Sequence, residues 1–374
     1  MKKYILLACC FLSIVTFSCD AQVKSQDIAV TDELINYKLE PVATGITIPW
    51  GMTWLPDGSM LVTEKTGVLY HVNKGIKTEI NNVPQVYVRG QGGLLDITVH
   101  PKYAQNGWIY FSYASAEGEG TGGHTKISRA QLLNGSLTQI ETIYKAGPKT
   151  TKGQHFGSRI IFDNEGYLYF SIGERGEHFV NPQDITRDGG KIYRLHDDGS
   201  IPKDNPFIGQ NGAKEALYTY GNRNPQGMAI HPVTAAIWAH EHGPQGGDEI
   251  NIIKKGANYG WPLVTYGIDY DGTTISKEIE KEGIEKPIFY WLPSIAPSGM
   301  TFVTGDKYPC WKGNLLVGSL KFQYLEMLIL KENDVVKRQK IASNIGRVRH
   351  VAQGPDGYIY IGVEEKGILK IIPN

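Results

Sequence analysis

The feature that most constrains the fold of this chain is a short motif that returns six times: a turn rich in Gly, Asp, Asn or Pro, followed by an alternating or continuous apolar strand. The copies are LPDGSMLVT (55–63), HPKYAQNGWIYFS (100–112), FDNEGYLYFS (162–171), HPVTAAIWA (231–239), YPCWKGNLLVG (308–318) and GPDGYIYIG (354–362). Asp-Gly and Asn-Gly pairs supply the positive φ angles that tight hairpins need, and the apolar runs are buried or half-buried strands. Each copy therefore predicts two strands of one repeat unit. Successive copies begin 45, 62, 69, 77 and 46 residues apart, against about 40 to 50 residues per blade in common propeller repeats. The expected fold is all-β, a six-bladed β-propeller whose middle blades carry long inter-strand loops over the central channel. Forty-four glycines and 21 tyrosines suit turns and strands, and no long amphipathic helix is evident. Two stacked β-sandwiches are the competing architecture, weakened by the lack of a Pro/Ser-rich linker.

The N-terminus predicts export. Lys2 and Lys3 precede an apolar run that ends at Ser18, so residues 1–18 are expected to be a signal peptide. The stretch TFSC (16–19) resembles a loose lipobox, giving two outcomes: Cys19 as a lipidated first residue, or plain cleavage nearby. Residues 19–36 are expected to be a polar tether and 37–374 the propeller. The expected location is the periplasm, with the membrane touched only through an N-terminal lipid. Cys9 and Cys10 lie in the leader, so Cys310 is the one cysteine of the globular part and no internal disulfide can form there. Thirty-eight basic residues balance 38 acidic ones, which argues against nucleic acid as a partner. A monomer or a homodimer is expected.

The long connections hold residues suited to chemistry. Glycines around Gln91 (GQGG, 90–93) and before His155 allow close backbone approach to a ligand, and His155 has the chemistry of a general base near neutral pH. Structurally, a lone histidine is more often a hydrogen-bonding residue of the scaffold. Arg223, in a donor-rich turn (GNRNPQG, 221–227), suits a developing oxyanion or, equally, loop carbonyls. Asp248, Glu249, Asp269 and Asp271 are interspersed with glycine in an oxygen-rich stretch that suits calcium, although most Asp-Gly pairs are simple turns. His240 and His242, two apart on a strand, leave zinc open as an alternative. Lys321, Arg347 and Arg349 call for an anionic ligand bearing several carboxylates, or for surface acids.

In this order the segments IPWGM (48–52), GQGGLL (90–95), HFGSR (155–159), GGKIYR (189–194), GNRNPQG (221–227), EHGPQGGDE (241–249), NYGWP (258–262) and RVR (347–349) resemble the soluble sugar dehydrogenases that depend on pyrroloquinoline quinone (PQQ), in particular the bacterial aldose sugar dehydrogenase branch. The resemblance implies a quinone lying over the central channel and an aldose substrate oxidised at C1 to the lactone. His155 is then the expected base, with Gln91 and Arg223 on the quinone oxygens. Asn224, Tyr270, Lys321, Arg347 and Arg349 are expected to hold or border the cofactor. One calcium is expected on the carbonyls of Gly243 and Pro244, and a second on Glu249, Tyr259 and Asp269. Electrons would pass to an external acceptor. The chain departs from glucose-oxidising relatives at Gln154 and Glu174, both beside the expected base. Two rivals remain at this level: a metal-dependent propeller lactonase or other hydrolase using Glu241, Asp248 or His242, and a non-catalytic exported propeller that binds a sugar or a partner.

Overall fold

The computed structural model describes residues 28–32 and 37–373; the expected leader, the Cys19 site and most of the tether lie outside these residues. Among the described residues there are six β-sheets and one helix of four residues, Tyr103–Asn106. The fold is a six-bladed β-propeller, as the repeats predicted. Each sequence repeat forms the hairpin between the first and second strands of one blade. In the first blade Pro49–Trp54 turns into Met60–Glu64, and in the sixth Val348–Gln353 turns into Ile359–Val363.

The ring closes by pairing the two ends of the propeller. Tyr37–Ala43 runs antiparallel to Gly367–Pro373 as the outermost strand of the sixth blade. Val30–Asp32, from the stretch expected to be a tether, adds a parallel edge strand to the fifth blade against Asp334–Ala342. The blades are held by apolar clusters between neighbouring sheets. One joins Trp238, Phe289 and Trp291 of the fourth blade to Met300, Phe302 and Leu315 of the fifth. Burying large aromatic side chains this way removes much apolar surface from water, the main favourable contribution to such a fold.

The channel is crossed by one guanidinium. Arg159 sits over the ring of Trp50 at 4.5 Å, donates to Asp96 at 2.7 Å, bonds His350 Nδ1 at 2.8 Å, and donates to the carbonyl of Gln226 at 2.9 Å. These partners come from the first strands of four other blades or the residues bordering them, so a single buried cation ties the innermost strands together. The six hairpins follow the first strands and mark one mouth, with a cavity of about 450 Å³ reaching Thr98, Phe162, Ile230 and Gln353. The loops that precede the first strands gather at the other mouth. No helix among the described residues is long and apolar enough to cross a membrane.

Candidate active site

The loops before the first strands bring together residues far apart in sequence. Gln91 and His155 meet because Gly90 and Gly153 touch: a Cβ on Gly90 would lie 2.3 Å from the Gly153 carbonyl oxygen, and Gln91 N–H donates to that same carbonyl at 2.6 Å. The Gln91 Oε1 then accepts the backbone N–H of His155 at 2.8 Å. His155 adopts a left-handed backbone (φ 56°), uncommon for a residue with a Cβ. Its Nδ1 is hydrogen-bonded to the Glu174 carboxylate. A Cβ at Gly173 would lie 2.3 Å from the His155 carbonyl oxygen, so the two loops cannot fit so closely with a larger residue there.

Glu174 is buried, and its backbone N–H donates to the Arg223 carbonyl at 2.8 Å. Burial works to raise its pKa, but the bond to His155 and the charges of His155 and Arg223 outweigh it and hold the carboxyl below its ordinary range. His155 is pushed below the ordinary imidazole value, first by burial and then by the Arg223 charge, with Glu174 opposing both. The result at neutral pH is a neutral imidazole against an ionised carboxylate.

Arg223 and Asn224 complete this group. Asn224 is fully buried; its Oδ1 accepts Gly157 N–H at 3.0 Å, while its Nδ2 has no hydrogen-bond partner among the described residues. One Nη1 of Arg223 donates to the carbonyls of His242 and Gly243, at 3.1 and 3.0 Å, and its guanidinium lies 5.2 Å from the Trp261 ring. Gly243 is fixed from behind by Asp248, whose Oδ1 accepts its N–H at 2.8 Å and whose Oδ2 accepts the N–H groups of Ile295 and Ala296. Pro244 is buried beside it. Gln245 donates to the Asp269 carbonyl at 2.7 Å, so the exposed turn carrying Asp269 and Tyr270 packs on the Gly243 loop.

The expected anion-binding residues form a second cluster. Arg347 and Arg349 both bond the carboxylate of Glu364, from Arg347 Nε at 2.7 Å and Arg349 Nε at 3.1 Å. Arg347 Nη1 also donates to the Leu320 carbonyl at 3.2 Å, beside the exposed Lys321. Lys65, half-buried, is pushed down by burial and then by the Arg349 charge, and its carbonyl accepts Leu94 N–H at 3.0 Å from the Gln91 loop. Glu364 and, beside Lys65, Glu64 thus set two carboxylates against Arg347, Arg349 and Lys65, a surplus of one positive charge. Lys65 and Glu364 were not singled out in the sequence, since neither stands in a motif that marks it.

Beside Arg223, a cavity of about 10 Å³ is lined by Glu241, Glu249, Tyr259 and Thr265, room for one water-sized or ion-sized occupant. Glu241 and Glu249 are direct cross-strand partners. Both are pushed above the ordinary glutamate value by burial, and Glu249 next by the Glu241 charge. Two buried carboxylates side by side are the arrangement a cation relieves. Among the described residues no group of three or more His, Cys, Asp and Glu side chains converges as a metal site. Of the two histidines that left zinc open, His240 packs against Gly227 and His242 bonds the Pro297 carbonyl.

The glucose / sorbosone dehydrogenase family profile matches residues 46–370. The aldose sugar dehydrogenase YliI of Escherichia coli strain K12 is 42% identical over 335 residues, covering 87% of this chain and 90% of that protein. The crystal structure of the soluble aldose sugar dehydrogenase from E. coli, in its apo form, superposes with a TM-score of 0.86 at 38% identity, over 91% of this chain and 100% of that one. The PQQ-bound aldose sugar dehydrogenase of Streptomyces coelicolor superposes with a TM-score of 0.74 at 29% identity, over 91% and 99%.

Proposed function

The chain belongs to the glucose / sorbosone dehydrogenase family, and from that premise we propose that it is a PQQ- and calcium-dependent dehydrogenase that oxidises aldose sugars at C1 to the lactone. The observation that carries this reading is the convergence of Gln91, His155, Glu174, Arg223 and Asn224 on one spot at the channel mouth. The residues present fit a flat, polyacidic quinone. Asn224 has a buried amide nitrogen lacking a partner among the described residues, and the surplus cations around Glu364 suit carboxylates. When bound, PQQ supplies the two-electron acceptor for hydride leaving C1.

The work of the chain's own residues follows from the geometry. With Glu174 ionised, His155 Nδ1 carries the ring proton and donates it to the carboxylate, which leaves Nε2 as the basic atom. Nε2 takes the proton of the sugar's C1 hydroxyl, and Glu174 stabilises the imidazolium that results. Gln91 fixes the His155 backbone through its Oε1 and offers its amide N–H₂ to a quinone oxygen. Arg223 places positive charge where negative charge grows on reduction. Asn224, Lys321, Arg347 and Arg349 hold the cofactor, with Tyr270 at its border. Calcium on the Gly243 and Pro244 carbonyls would act as a Lewis acid; Arg223 donates to the first of these, so the guanidinium and the metal would share that carbonyl. A second calcium suits Glu249 and Tyr259, with Glu241 facing it and Asp269 the further expected ligand. Residues 1–18 direct export, and electrons leave to an external acceptor.

The test is dye reduction by the purified chain given PQQ, calcium and a panel of aldoses. Turnover that needs both additions supports the proposal. Hydrolysis of a lactone without PQQ would favour the hydrolase reading, and sugar binding without turnover the binding-protein reading.

A further inference from the structure

We propose that a cavity between the second and third blades is a binding site for a small oxyanion, of phosphate or short-carboxylate size, held by His124 and Arg175. The cavity measures about 140 Å³, room for several waters or for one such anion with a water. It lies behind the catalytic loops. Arg175, next in the chain to Glu174, lines it and stacks over Phe156 at 3.4 Å.

Two buried polar side chains in its wall lack partners. Both ring nitrogens of His124 are unbonded among the described residues although only 2% of the residue is exposed, and Arg175, 5% exposed, has an unbonded Nε. The other Arg175 nitrogens are committed to carbonyls of Lys152 and Gln154. An N–H on each of two buried residues lining one cavity is a donor pair without an acceptor among the described residues.

Charge selects the sign of the occupant. The wall carries Lys149, Arg175 and Arg187 against Glu177 and Asp188. Those two acids are already answered from outside the wall, Glu177 by Lys152 at 2.9 Å and Asp188 by Lys214 at 3.5 Å. Asp188 also accepts from Tyr144, Tyr193 and the Gly147 N–H, which leaves it little capacity. His124 is pushed down to about 4, first by burial and then by Lys145, Lys149 and Lys126, with Glu117, the ion-pair partner of Lys126, opposing them. The lysines that disfavour a proton on His124 favour an anion beside it. Lys149, Glu177 and Arg187 are partly exposed and give the route in.

The experiment is titration calorimetry on the full chain without quinone, using inorganic phosphate and sodium acetate at constant ionic strength held with sodium chloride. One-to-one saturable binding of either anion is expected, at least tenfold weaker in His124→Leu and at least threefold weaker in Arg187→Gln. Shifts of the His124 ring resonances on anion addition are expected in the unmodified chain, and they decide the matter should His124→Leu fail to fold. No saturable binding of either anion would overturn the proposal. So would equal affinity in Arg187→Gln with unmoved His124 resonances, the signature of an adventitious ion only.

Discussion

His155 and Glu174 are joined side chain to side chain, and the Glu174 backbone is in turn bonded to Arg223, so the proposed base, its orienting carboxylate and the oxyanion donor form one unit. Glu174 acts through His155 and is a positioning residue. Its hydrogen bond and charge raise the His155 pKa against the effects of burial and Arg223. Glu174→Gln should therefore move the acid limb of the pH profile of kcat/KM to lower pH and reduce kcat by about 10- to 100-fold, by loss of orientation and basicity. In the unmodified enzyme that limb should fall below the ordinary imidazole value. A Glu174→Gln profile superimposable on the parent would show that the carboxylate plays no part.

Arg347 and Arg349 share Glu364, and the account gives them to the cofactor's carboxylates. Charge-assisted hydrogen bonds are worth about 1.5–3 kcal/mol, so Arg347→Ala should weaken PQQ binding by roughly 10- to 100-fold while kcat at saturating PQQ changes little. Fluorescence titration with PQQ measures it. Unchanged affinity in the Arg347→Ala/Arg349→Ala double variant would refute the assignment.

Glu241 and Glu249 predict how the chain responds to metal removal. Glu241 is raised from 4.5 to about 7, chiefly by burial, and Glu249 is also raised well above its ordinary value by burial and the Glu241 charge. A carboxyl with a folded pKa above its unfolded value binds more protons when folded, so stability is full at acid pH and is lost as pH rises from about 4.5 through 7. Calcium at the proposed site would offset this loss, contributing about 2.7 kcal/mol at 100 times its Kd. The difference in Tm between calcium and chelator should thus widen with pH. Equal Tm values with and without chelator at neutral pH would contradict the site.

Much of the fold was legible because its signals are local. Each hairpin carries its own turn residues and apolar alternation, so six repeats could be counted from the sequence. The pairing of Tyr37–Ala43 with Gly367–Pro373 left no such mark, since contact between chain ends has no spacing to read. At the site, glycine-rich motifs drew notice to Gln91, His155 and Arg223. Glu174 was noticed only as a departure from the family pattern, and nothing in the sequence showed that its carboxylate meets His155 Nδ1. Glu364 and Lys65 lie in ordinary β-turn sequences; the pairing of Val348 with Val363 sets Glu364 beside Arg349 within one blade, and the assembled ring brings Lys65 of the first blade to them.

The Arg159 crossing predicts a stability effect rather than a chemical one. Arg159→Met leaves Asp96 buried without its cation, a loss of about 3–5 kcal/mol when one partner of a buried pair is removed. Denaturant unfolding should show the midpoint falling accordingly. A midpoint within error of the parent would mean that the crossing does not hold the blades.

The central claim is that His155 removes the C1 proton at a site built to hold the quinone. The measurement is dye-coupled oxidation of an aldose by His155→Ala loaded with PQQ and calcium, beside PQQ binding to the same variant. PQQ affinity is expected to stay within about threefold of the parent and kcat to fall by about 10²- to 10⁴-fold, the range for a lost general base. Parental kcat in the fully loaded variant would contradict it.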